Sequence, residues 1–142
     1  DWNPEITHSM FKAAKETLIK HGADEENLST IQVPGTFELP SAARIIAKRD
    51  SPDAVICIGC VIKGETDHDI YINQAVANGI MNLSLSSKKP VIFGLLTPNT
   101  KAQALDRAGG AYGNKGVEAA VTAIRMAVLK KEMESTKSTI GF

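Results

Sequence analysis

Three observations predict an α/β fold, with helices on both faces of a parallel sheet. Apolar runs at residues 54–62 and 91–96 are too short for buried helices and suit strands covered on both sides. Segments with helical apolar spacing alternate with the strand segments, giving the order helix, strand, helix, strand, helix, strand, helix, helix. The run 54–62 also ends at Lys63-Gly64 and leads into Glu65-Thr66-Asp67-His68, so a strand, a glycine turn and a helix start follow one another. The expected architecture is a three-layer α/β/α sandwich forming a single domain over residues 1–142, a length that buries a core without disulfides or metal.

The first helix is expected to open with Asn3 as cap, Pro4 at the first helical position and Glu5 in the first turn. It runs to about His21, with Ile6, Met10, Ala13, Ala14 and Leu18 on one face and Gly22 as its stop. His8 and His21 read as solvated helix residues. Residues 28–33 alternate apolar and polar side chains and predict a strand. Residues 34–38 turn the chain into a short helix over 39–48. A helix starts near Thr66 or Asp67. A strand at 91–96 follows Pro90, a helix at 101–108 is broken by Gly109-Gly110, and a last helix runs over about 114–134. Beyond Ser135 the tail is polar and expected to fray.

Composition removes several classes of function. Lys+Arg and Asp+Glu both number 16, so no net charge favours nucleic acid or an acidic membrane surface. No apolar run is long enough to span a bilayer, and the start shows no basic-then-apolar leader, so a soluble cytoplasmic protein is expected. Cys57-Ile58-Gly59-Cys60 has C-x-x-C spacing. Redox pairs of that spacing sit on the first turn of a helix, whereas residues three apart in a strand face opposite ways. With no second pair and no histidine couple for zinc, strand packing is the expectation and no metal site is assigned. Neither common nucleotide fingerprint is present.

Ligands of open α/β sheets bind beyond the carboxyl ends of strands, and helix N-termini offer N–H groups to anions. Residues 64–68 occupy such a place, and Phe37 and Glu38, following the 28–33 segment, lie on the same sheet edge. His68 is a candidate proton carrier because free imidazole titrates near neutrality; the plainer reading is a helix-start histidine. Phe37 could equally cap the core, and Glu38 could simply favour a helix N-terminus. Aromatic residues are only 5 % of the chain, so Trp2, Phe37, Phe93 and Tyr112 each become worth placing.

Six blocks now carry a resemblance over essentially the whole chain: Trp2-Asn3-x-Glu5-Ile6-Thr7; Val33-Pro34-Gly35-Thr36-Phe37-Glu38-Leu39-Pro40; Gly59-Cys60-Val61-Ile62-Lys63-Gly64-Glu65-Thr66-x-His68; Pro90-Val91-Ile92-Phe93-Gly94-Leu95-Leu96-Thr97; Arg107-Ala108-Gly109; and Gly113-Asn114-Lys115-Gly116-x-Glu118-Ala119-Ala120. Together, in this order and spacing, they resemble the lumazine synthase family. The resemblance implies a flavodoxin-like fold and the condensation of 5-amino-6-(D-ribitylamino)uracil with 3,4-dihydroxy-2-butanone 4-phosphate to 6,7-dimethyl-8-ribityllumazine, with no metal or organic cofactor.

By the same resemblance, Trp2 and Phe93 would flank the pyrimidine ring. Asn3, Thr36, Phe37 and Glu38 would hold the pyrimidine and its ribityl chain, and Cys60, Val61 and Ile62 would supply backbone contacts. Glu65, Thr66 and Arg107 would bind the phosphate of the second substrate, and His68 would move protons. Lys115 and Glu118 are secondary candidates, for which a solvated i,i+3 pair is an equal reading. The chain departs from the common pattern after His68, where Asp69-Ile70-Tyr71 stands, and at Trp2, where phenylalanine is common. The resemblance also implies pentamers, with Phe93 and Arg107 reaching a neighbour's site. The short 107–116 turn resembles members that stack twelve pentamers into a shell. In the family a further central strand would immediately precede Trp2; either N-terminal residues beyond this chain or another segment is expected to fill its place. Two rival functions are a non-catalytic lumazine- or flavin-binding module or container, and an archaeal-type riboflavin synthase, which needs no phosphate site.

Overall fold

A computed structural model describes residues 2–137 of the chain. In chain order the elements are α1 (Pro4–Lys20), α2 (Leu39–Arg49), β1 (Val55–Cys60), α3 (His68–Ser87), β2 (Val91–Leu96), α4 (Lys101–Arg107), β3 (Ala108–Gly110), β4 (Gly113–Asn114) and α5 (Lys115–Lys137). Short 3₁₀ turns at Glu25–Asn27 and Thr36–Glu38 join the early elements. β1 and β2 run parallel, from Val55 opposite Val91 to Cys60 opposite Leu96.

The two-residue period of a strand divides the core between two faces. Val55, Cys57, Val91 and Leu95 pack with Ala43 of α2 and Val76 and Ile80 of α3. On the other face Cys60 and Leu96 join Ile6 and Met10 of α1 and Ala104 of α4, while Ile92 meets Ala119 and Ala123 of α5. Helices therefore cover both sides of the sheet, as the alternating pattern predicts, and the two cysteines are buried on opposite faces as free thiols.

The helix starts differ in chemistry. Asn3 sits where the cap was expected, in the left-handed region (φ 55), and its carbonyl accepts from the N–H groups of Ile6 and Thr7. Its side chain, however, makes no cap bond. At α4, Thr100 Oγ1 accepts from Gln103 N at 3.2 Å while Gln103 Oε1 reaches back to Asn99 N at 2.9 Å, a variant of the capping box. Asn114 Oδ1 accepts from Gly116 N at 2.9 Å and so caps α5.

Three expectations are corrected. Residues 28–33 are not a strand. Among the described residues the parallel sheet contains only β1 and β2, so this segment has no ladder to join, and its alternation cannot substitute for a partner. Residues 108–114 are more than a helix break: they form the antiparallel hairpin β3–β4, which turns with Gly109 at φ 117 and Gly113 at φ 79, conformations glycine adopts without strain. The last helix extends through Ser135 to Lys137 where fraying was expected; residues 138–142 lie outside the described residues.

Candidate active site

The expected site residues fall into two groups. The first gathers at the carboxyl end of β1. A Cβ on Gly59 would stand 3.0 Å from Thr36 Oγ1 and 3.1 Å from Leu39 Cδ1, so the bare glycine lets the Thr36–Glu38 turn seat directly on the strand end. That brings Thr36, Phe37 and Glu38 beside Cys60. The ladder with β2 continues past the strand: Val61 N donates to the Leu96 carbonyl at 2.9 Å and Lys63 N to the Pro98 carbonyl at 3.0 Å. Strand alternation then turns the amides of Cys60 and Ile62 to the opposite edge. The N–H of Val61 is used by the sheet and is not open to a ligand.

Beyond Lys63 the chain is exposed through Glu65, Thr66 and Asp67, and His68 is the first residue of α3, also exposed. Asp67 stands at the cap position without a side-chain bond, so the first-turn N–H groups of α3 are not covered by it. Asp69 Oδ1 in that first turn and Asn73 Oδ1 one turn on are buried acceptors with no hydrogen-bond partner among the described residues. Trp2 and Phe37 are 77 % and 57 % exposed, which removes the core-capping reading of Phe37. Burial pushes the Cys60 thiol up to about 11 and that of Cys57 up to about 12, so both are neutral near pH 7 and neither is poised as a nucleophile.

The second group surrounds the end of β2. A cavity of about 580 Å³ is lined by Thr97, Asn99, Gln103, Arg107, Tyr112, Lys115 and Glu118, among others. Here Lys115 Nζ binds Glu118 Oε2 at 2.9 Å, so the i,i+3 pair is formed. The Arg107 guanidinium lies 5.0 Å from the centroid of the Tyr112 ring, and its Nη1 donates to the Gln103 carbonyl at 3.4 Å. A second, more apolar cavity of about 610 Å³ contains Phe93, Met81, Leu85 and Met126 and again touches Lys115 and Glu118. The Lys115–Glu118 pair thus borders both.

Neither cavity is lined by Trp2, Thr36, Phe37, Glu38, Glu65, Thr66 or His68. Within one chain, the residues expected to hold the pyrimidine and carry protons are therefore not joined in one cavity with Phe93 and Arg107. Asn99, Gln103 and Tyr112 also line the Arg107 cavity; Tyr112 is one of the few aromatic residues the sequence marks as worth placing, whereas no motif points to Asn99 or Gln103. Among the described residues no three His, Cys, Asp or Glu side chains are gathered as a metal ion would require, and no helix is long and apolar enough to cross a membrane.

Residues 1–131 match the family model for 6,7-dimethyl-8-ribityllumazine synthase. A protein of that name from Cytophaga hutchinsonii is 52 % identical over 126 residues, covering 89 % of this chain and 79 % of the relative. Its namesake from Porphyromonas gingivalis is 50 % identical over 131 residues, 92 % of this chain and 81 % of that one. The Bacteroides fragilis protein is 49 % identical, with 89 % and 88 % covered. With an α/β fold built on a parallel sheet and this degree of identity, the chain belongs to the 6,7-dimethyl-8-ribityllumazine synthase family.

Proposed function

We propose that the chain joins 5-amino-6-(D-ribitylamino)uracil to 3,4-dihydroxy-2-butanone 4-phosphate, forming 6,7-dimethyl-8-ribityllumazine with release of phosphate and water, the penultimate step of riboflavin biosynthesis. The observation that carries this reading is the family match across residues 1–131. The scheme uses no metal or organic cofactor. An amine attacks a ketone, water leaves, phosphate is eliminated and the ring closes.

In this reading Trp2, Phe37 and Phe93 hold the heterocycle by their faces, Asn3, Thr36 and Glu38 bind polar groups of the pyrimidine and ribityl chain, and Cys60 and Ile62 present backbone amides. Glu65, Thr66 and the first turn of α3 receive the phosphate, with Arg107 supplying a fork that matches its oxygens. His68, exposed at the mouth of that turn, relays protons. Much of the acceleration comes from holding two reactive molecules in register, since the carbonyl–amine condensation is intrinsically feasible.

Two observations support a site shared between neighbouring copies. Trp2, Thr36, Phe37, Glu38 and His68 line neither the Arg107 cavity nor the Phe93 cavity, and the rings of Trp2 and Phe37 are exposed. An apolar groove beside the edge of β2, where Leu85 is 71 % exposed, suits the face of a second copy. Pentamers with one site per interface are what the family resemblance implies, and the tight β3–β4 hairpin favours twelve of them closing into a cytoplasmic shell.

The test is to mix protein with both substrates and follow lumazine fluorescence against the uncatalysed rate. Product should form faster than background. His68→Ala should lower kcat by about a hundredfold and still leave measurable turnover. Arg107→Ala should raise KM for the butanone phosphate and leave that for the diamine unchanged. No acceleration from folded, assembled protein would overturn the enzymatic reading in favour of a binding module or container.

A further inference from the structure

Tyr112 is 69 % exposed, a ring kept out of the core, yet its position is fixed. It lies in the turn between β3 and β4, and its backbone N–H donates to the Asp106 carbonyl at 2.9 Å, one residue before Arg107 at the end of α4. The far side of the hairpin is anchored as well, because Asn114 Nδ2 donates to the Ser9 carbonyl of α1 at 3.4 Å and Ser9 Oγ donates to the Ala108 carbonyl. The ring centroid is 5.0 Å from Arg107 Cζ, within cation–π range. Glu118, which lines the same cavity, is held by Lys115 at 2.9 Å rather than by this guanidinium.

We infer that Tyr112 is a positioning residue that holds Arg107 for the phosphate of the butanone substrate, an inference that rests on the reading of Arg107 given above. The two contacts do not compete. An aromatic ring attracts the face of a guanidinium, whereas phosphate oxygens take the N–H groups along its edge. Gln103 accepts from one Nη1, so ring and helix carbonyl together restrict a long side chain before the anion arrives. An unheld arginine loses that freedom on binding; a stacked one has already lost part of it.

The experiment is a double-mutant cycle on the assembled enzyme, read as KM for the butanone phosphate and as the competitive inhibition constant of inorganic phosphate. Tyr112→Ala should raise both by about 2- to 5-fold, leaving kcat, KM for the diamine and the melting temperature unchanged. Tyr112→Phe and Tyr112→Trp, which keep a ring, should restore the parent values. On an Arg107→Ala background Tyr112→Ala should add nothing. The role of the ring is overturned if Tyr112→Ala has no effect, if it acts equally on both substrates, or if its effect persists without Arg107. If Arg107→Ala itself leaves phosphate binding unchanged, the assignment of Arg107 fails, and Tyr112 has no phosphate ligand to position.

Discussion

Gly59 shows how a single residue can be visible in a sequence for the wrong reason. It stands inside a C-x-x-C spacing, but its contribution is the missing Cβ that lets Thr36 approach the end of β1. The flanking cysteines are packing residues, one on each face of the sheet, and their environment makes a prediction. Burial lifts Cys57 to about 12 and Cys60 to about 11 from an ordinary 9.0. The folded values lie above the unfolded one, so the contribution of these thiols to stability is complete below pH 9 and is lost as pH rises toward 11–12. By about pH 10 each should cost about 1 kcal/mol relative to neutral pH. Thiol labelling at pH 8 should be orders of magnitude slower in native protein than in denaturant; labelling as fast as that of free cysteine would contradict the burial argument.

Helices were legible because their evidence is local: a proline at the first position and an apolar face. Residues 28–33 were not, because a strand exists only with a partner, and alternation does not reveal whether one is beside it. The β3–β4 hairpin was half legible. Its glycines announced a break, while the pairing of Ala108 with Asn114 depends on Ser9 and α1, almost a hundred residues away in sequence. Asn114 joins these elements, since its Oδ1 caps α5 and its Nδ2 reaches Ser9. Asn114→Ala should therefore cost about 1–2 kcal/mol in chemical denaturation. Asn114→Asp should keep the cap and recover most of that; an alanine variant as stable as the parent would show that the cap contributes nothing.

At the scale of the whole molecule the motifs carried both groups of candidate residues, and the resemblance they support already implied that Phe93 and Arg107 reach a neighbour's site. Motifs are read along one chain, whereas the absence of His68 from the lining of the Arg107 cavity is a property of the fold. The proposed assembly of neighbouring copies is what would bring the groups together, with the apolar groove by β2 at the contact. Light scattering should accordingly give a mass far above one chain, and above a pentamer if the shell closes; a pentamer mass would contradict the shell. The most direct measurement co-expresses His68→Ala and Arg107→Ala chains and assays the mixed assemblies. If each site takes His68 from one copy and Arg107 from its neighbour, about a quarter of the sites in a random mixture regain both intact groups. Assayed at butanone phosphate well below the raised KM of the Arg107→Ala variant, activity should rise to about a quarter of the parent's, well above either variant alone. Mixed assemblies no more active than the average of the two variants would contradict the shared site.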